Sequence, residues 1–251
     1  MTALLELRHV SKGFGGVLAL DDVSFSIAPK ELVGLIGPNG AGKTTVFNLV
    51  SGVHALSQGE VIHRGERVSG ASPTHIARRG IARTFQNIRL FRSLTVMDHV
   101  LVAQTCRSRG LLTQFSPFAT RAERERRRTA LQALEAVGLA HRRDEPAVHL
   151  PYGGQRRLEI ARALATSPEI LLLDEPAAGL NPTETHEIDA LIKKIGASGV
   201  TVVLVEHDMK LVMRLCSRIL VLNFGRLIAS GTPQEVRANG EVIDAYLGVV
   251  N

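Results

Sequence analysis

The sequence predicts an α/β fold. A mainly parallel sheet carries helices on its faces, an antiparallel β segment precedes it, and a helical subdomain is inserted into it. Three observations carry that expectation. Compact apolar strands at 170–174 (ILLLD), 201–206 (TVVLVE) and 219–223 (ILVLN) alternate with helical stretches, the pattern of strands buried on both faces of a parallel sheet. A glycine-rich turn at 37–44 separates an apolar strand from a helix. The middle of the chain, 88–157, holds no strong strand run.

Taken in order, residues 4–36 divide into short strands and turns: LLELRHV, then DDVSFSI with period-two alternation, then the apolar run ELVGLI. Ser72-Pro73 and Gly80 frame a short helix, with serine as the cap, proline in the first turn and glycine at the end. An arginine-rich helical block at 121–128 (RAERERRR) continues as the amphipathic TALQALEAVGL. Residues 110–120 (GLLTQFSPFAT) follow neither the helical nor the strand period. Asn181-Pro182 reads as the cap and first residue of a further helix, with Gly196 as its stop. The expected division is a first core part at 1–87, a helical subdomain at 88–157 and a second core part at 158–251.

A length of 251 residues suits one α/β domain with a satellite subdomain. The mix of 45% apolar and 22% charged residues excludes a disordered chain. With 30 basic and 24 acidic residues the net charge is +6, which suits a negatively charged partner such as a nucleotide, a nucleic acid or an anionic lipid headgroup. Cys106 and Cys216 lie far apart, outside any metal-ligand spacing, so a disulfide scaffold and a structural zinc site are not expected and a reducing compartment is. No apolar run approaches the roughly 18–20 residues that cross a bilayer. The N-terminus lacks a basic segment followed by a long apolar core, so the expected chain is cytoplasmic or nucleoplasmic and does not span a membrane.

The residues that carry chemistry begin with Gly37-Pro38-Asn39-Gly40-Ala41-Gly42-Lys43-Thr44, a complete G-x-x-x-x-G-K-[ST]. Its glycines allow a tight turn that points successive N–H groups at a phosphate, and the helix that follows (Thr44, Thr45 and onward) offers its positive end to the anion. Lys43 is expected to bridge the β- and γ-phosphates while the Thr44 hydroxyl ligates Mg²⁺. The strand 170–174 then delivers Asp174 and Glu175 to the carboxyl edge of the sheet, where such folds bind ligands. Asp174 suits the Mg²⁺ shell and Glu175 suits polarisation of an attacking water. His207 follows another apolar strand to the same edge, where it can donate to a γ-phosphate oxygen. Gln86, in RTFQNIRLF, lies at the seam between core and insertion, with an amide suited to Mg²⁺ or to orienting water. Phe14 precedes the loop and can stack on a base; as a lone aromatic it is also an ordinary edge-strand residue.

Together these pieces resemble the ATPase cassette of the ABC superfamily over nearly the whole chain. The resemblance implies a P-loop NTPase (RecA-like) core that binds ATP and Mg²⁺. Phe14 falls on the adenine-stacking position, Gly37–Thr44 on the Walker A loop, Gln86 on the Q-loop, Asp174 and Glu175 on Walker B with its catalytic base, and His207 on the switch histidine. The segment LPYGGQRRLEIARAL (150–164) falls on the family signature, whose helix start, here Tyr152, Gly153 and Gly154, binds the nucleotide of the opposing subunit. The strings FGGVLALDDVSF, RTFQNIRLF, LDEPAAGLNP, VEHDMKLVM and VIDAYLG are similar to the ATP-binding subunit of bacterial branched-chain amino-acid importers. ATPases of urea or amide importers and of lipopolysaccharide export share parts of this pattern. The implied partners are a second ATPase subunit, transmembrane permease subunits and an external substrate-binding protein, at the cytoplasmic face of a membrane. A non-transport cassette acting on nucleic acid is the remaining class. Such proteins usually carry two cassettes in one chain or a very long coiled-coil insertion, and 251 residues hold neither.

The chain departs from the family signature at Pro151, which stands where the family has serine. Proline supplies neither the hydroxyl nor the N–H. Weakened rather than abolished turnover is expected, because Tyr152, Gly153 and Gly154 keep their N–H groups. Asn181 replaces an aspartate common in the family, and its capping role accounts for it.

Overall fold

In a computed structural model that describes residues 3–86, 88, 90–107 and 119–247, two sheets share one core. The first is antiparallel, in the order β2–β1–β4–β5, from β1 (Leu5–Phe14), β2 (Val17–Ile27), β4 (Gln58–His63) and β5 (Glu66–Arg67). The second runs β10–β9–β3–β8–β7–β6, from β3 (Leu32–Ile36), β6 (Ile81–Arg83), β7 (Ile170–Asp174), β8 (Thr201–Val205), β9 (Arg218–Asn223) and β10 (Arg226–Gly231). All its pairings are parallel except the β9–β10 hairpin at one edge. The α/β fold expected from the sequence is therefore the one observed.

The central strands read as uninterrupted apolar runs because both faces of the sheet are covered. Successive residues alternate between two clusters. Leu171, Leu173, Val202, Leu204, Ile219 and Val221 enter one, and Ile170, Leu172, Val203, Val205, Leu220 and Leu222 the other. The second cluster also takes Leu5, Leu7 and Leu20 of the antiparallel sheet and Phe47 of α1 (Lys43–Val50), so that sheet packs over the Gly37 loop and its helix.

The first cluster takes the helical insertion. Its members α3 (Val96–Ala103), α4 (Ala119–Ala136) and α5 (Tyr152–Leu164) send Val96, Val100, Ala130, Leu134 and Leu158 into the cluster that holds the parallel strands. The expected boundary at 157/158 lies inside α5, so insertion and core share one continuous helix. Most of 110–120 lies outside the described residues.

The remaining helices are α2 (Pro73–Arg78), α6 (Pro182–Ala197), α7 (Met209–Leu215), α8 (Pro233–Ala238) and α9 (Gly240–Leu247). The starts read from sequence hold: Ser72 caps α2, and Asn181 closes a capping box with Glu184 on α6. The stop expected at Gly196 is corrected. The helix runs through Gly196 to Ala197, and Gly199, at φ +96°, makes the left-handed exit with its N–H donating to the Gly196 carbonyl. Gly34 lets α7 lie close to β3: a Cβ there meets Val212 and Cys216. Cys216 is buried at that contact, and burial pushes its thiol up to about 12, an inert packing group.

Candidate functional site

The Gly37 loop leaves β3 at the carboxyl edge of the parallel sheet and enters α1. Gly37, Gly40 and Gly42 have φ of +151°, +79° and +103°. At two of them space is closed as well: a Cβ at Gly37 runs into the Leu222 carbonyl, and one at Gly42 meets Ala19 and Leu20. The loop residues 39–45 line a cleft of about 270 Å³ together with Ala19, Gln86, Glu175 and His207. Lys43 is 6% exposed, and its Nζ donates to the Gly37 and Pro38 carbonyls at 2.7 and 2.8 Å. Burial pulls its pKa down, against the raising effect of Glu175 and Asp174.

Strand β7 ends on Asp174, which pairs in register with Val205 of β8 and is buried. Glu175 follows in the left-handed region at φ +48°, its N–H donating to the Val205 carbonyl at 2.9 Å. A non-glycine residue held there is strained, and such strain collects at functional sites. The side chain is fixed at both oxygens. Gln86 Nε2 donates to Oε2 at 2.7 Å, and His207 Nε2 lies 2.7 Å from Oε1. The structure thus brings Gln86, Glu175 and His207 into one hydrogen-bonded row at the mouth of the cleft. Its middle carboxylate is 15% exposed and lines the cleft.

Two further residues at this site fall outside the motifs read from the sequence. Glu206 ends the β8 run as a buried acid; it accepts from the Ala177 N–H at 2.8 Å and the His207 N–H at 3.2 Å, tying the loop after Glu175 to the histidine. Burial pushes its carboxyl above the ordinary range. An acid directly after a wholly apolar strand was the available clue. Arg83, at the end of β6, donates from Nη2 to Asp174 Oδ2 at 2.8 Å.

Gly37, Pro38 and Asp174 do not line the cleft, and neither does Phe14. It ends β1 opposite Val17, 41% exposed, with Lys12 Nζ 4.7 Å from its ring centroid and His54 edge-on at 5.3 Å. Tyr152, Gly153 and Gly154 form the first turn of α5 behind Pro151, which offers no side-chain cap. They also lie outside the cleft lining. Arg156 donates to the Tyr152 hydroxyl at 2.9 Å, and the Tyr152 ring covers Gly179, where a Cβ comes within 3.1 Å of it. The first turn of α5 leaves N–H groups without partners inside the helix.

The oxygens of Thr44, Gln86 and Asp174 suit a hard divalent cation. Among the described residues no group of three or more His, Cys, Asp or Glu side chains forms a metal cage.

Residues 20–178 match the ABC transporter family model, and residues 226–250 match that of the branched-chain amino acid ATP-binding cassette transporter. The chain is 48% identical over 251 residues to the high-affinity branched-chain amino acid transport ATP-binding protein LivG of Escherichia coli K12, covering 98% of each. It is 47% identical over 252 residues to the corresponding protein BraF of Pseudomonas aeruginosa, again covering 98% of each. Among solved structures, the ADP form of an ATP-binding cassette of an ABC transporter is 29% identical, with a TM-score of 0.86 over 99% of this chain and 100% of that one. A dimeric, post-hydrolysis cassette bound to ADP and phosphate is also 29% identical, with a TM-score of 0.76 over 91% of this chain and 98% of that one. A phosphate loop, an acid pair on the adjacent strand edge, and these similarities along almost the full length have one reading: the chain belongs to the ABC transporter family as an ATP-binding cassette.

Proposed function

We propose that the chain is the ATP-hydrolysing subunit of an importer of branched-chain amino acids. The row Gln86–Glu175–His207 at the mouth of the Gly37 loop carries the chemical half of this reading. The identity to LivG and BraF, with the C-terminal family match, supports the cargo.

The loop N–H groups and the start of α1 hold the β-phosphate, and Lys43 bridges to the γ-phosphate. Mg²⁺, when bound through Thr44, Gln86 and Asp174, neutralises charge on the phosphates. Glu175 accepts the proton of the attacking water, while Gln86 and His207 fix its two oxygens and His207 senses the γ-phosphate. Phe14 stacks on the base. The turn at Tyr152, Gly153 and Gly154 completes the site of a second cassette, so that two copies, or two related chains, close on two ATP molecules. An apolar cavity of about 230 Å³ between core and insertion, lined by Ile76, Phe85 and Ala163, receives a short helix of the permease. No helix among the described residues is long and apolar enough to cross a membrane. The subunit sits at the cytoplasmic face, held by the permease, with a substrate-binding protein outside.

The test pairs ATPase measurements with size exclusion. Wild type hydrolyses ATP, and Glu175→Gln elutes as a dimer only when ATP is present. A Glu175→Gln protein that binds ATP and hydrolyses it at the wild-type rate overturns the role given to Glu175.

A further inference from the structure

The guanidinium of Arg83 joins three parts of the molecule. Its side chain is 6% exposed, and that of Asp174 is 5% exposed. Nη2 donates to Asp174 Oδ2 at 2.8 Å; Nη1 donates to Asn48 Oδ1 at 2.7 Å and to Ser51 Oγ at 3.2 Å, both at the end of α1. Its central carbon lies 5.5 Å from the ring centroid of Phe47 and 5.2 Å from that of Phe85, the latter 53% exposed in the cavity between core and insertion. A buried carboxylate needs a compensating charge, and the planar fork of arginine, bonded on both sides, fixes where that charge sits. With Oδ2 held by Arg83, Oδ1 is the oxygen left to face a cation.

We propose that Arg83 is a positioning residue for Asp174: it orients the carboxylate, offsets its charge so that Mg²⁺ binds without being held too tightly, and links that carboxylate to the cavity under Phe85. This deepens the proposed ATPase reading and rests on it. Removing the arginine charge strengthens the pull of Asp174 on a divalent cation while releasing its orientation, so affinity for Mg²⁺ and turnover move in opposite directions.

The test follows binding of fluorescent ADP to the full chain as Mg²⁺ is titrated, alongside the ATPase rate. Arg83→Gln is expected to lower the Mg²⁺ concentration for half-maximal binding about tenfold, the size of a lost neighbouring charge at an effective dielectric near 20 with screening, while kcat falls. Arg83→Lys keeps the charge and is expected to hold the Mg²⁺ midpoint within about twofold while still losing kcat, because one ammonium cannot replace the two-sided fork. Phe85→Ala shifts the midpoint in the direction of Arg83→Gln, by less. A second readout needs only the Arg83→Lys variant, used to assign the Arg83 Nε–H resonance. That resonance moves when Mg²⁺ is added to the ADP-bound wild type. An unchanged Mg²⁺ midpoint in Arg83→Gln, or a resonance indifferent to Mg²⁺, overturns the proposal. Failure of ADP to bind the wild type at all overturns the nucleotide reading instead.

Discussion

The starts of α1 and α5 both lack a side-chain cap, and they are equipped very differently. The start of α1 has a glycine loop ahead of it, a buried lysine folded over that loop, and the acids of β7 beside it. The start of α5 has a proline cap without a side-chain acceptor and two buried glycines, with the Glu184 carboxylate packed where a Cβ on Gly153 would stand. The first gathers a glycine loop, a lysine and two acids within one chain; the second has no such loop and no lysine at its cap. A helix N-terminus attracts anions by its dipole alone, but selectivity and turnover need the fixed charges around it. On the proposed reading the first region binds the nucleotide and the second completes a neighbour's site.

The sharpest way to break this comparison is at the acid side of the first region. Glu175→Gln is expected to lower kcat by about 10²–10⁴-fold with nucleotide affinity kept, because only proton acceptance is lost; single-turnover kinetics with parallel nucleotide titrations separate the two. Gly42→Ala comes next. The left-handed backbone costs ~1–2 kcal/mol for a residue with a Cβ, and the new methyl meets Ala19 and Leu20, so both the thermal midpoint and nucleotide affinity should drop. In the second region, Pro151→Ser restores a hydroxyl and an N–H. It should raise turnover of the assembled transporter by up to about tenfold, less than the ~10²–10³ of a fully used donor. Unchanged turnover would remove the second region from the catalytic site.

The smallest expected effect concerns Glu206, which ties the two strand edges together. Burial raises its pKa in the folded protein above the ordinary 4.5, so the folded state keeps a proton that the unfolded chain has already released. Stability therefore falls as pH rises from about 4.5 through the raised value, and the cost is greatest above it. Glu206→Gln cannot ionise. Its thermal midpoint should depend less on pH over that window. Parallel slopes would show that Glu206 ionises as freely as it does in the unfolded chain.

Contiguity decided what could be read directly. Gly37–Thr44 is legible because every residue of the loop is adjacent in sequence, and the flanking strand and helix are strongly patterned. Asp174 and Glu175 are legible because an apolar run ends on them. Gly196 misled because two glycines lie near one helix end, and only backbone geometry shows that Gly199 makes the left-handed turn. Arg83 and Glu206 were not legible as site residues: an arginine three positions before Gln86 and an acid before His207 gain meaning only from partners 91 and 29 residues away.

By itself, then, the sequence determined the α/β alternation, the phosphate loop and the acid pair, because local propensity and periodicity act on neighbours along the chain. Tertiary structure alone decided that Glu175 is gripped by Gln86 and His207 and that Arg83 holds Asp174. It also decided that Tyr152, Gly153 and Gly154 lie outside the lining of the cleft. Those arrangements follow from parallel strand order and from burial on both faces of the sheet, which bring side chains from distant segments to one edge where a charge without a partner is too costly to keep.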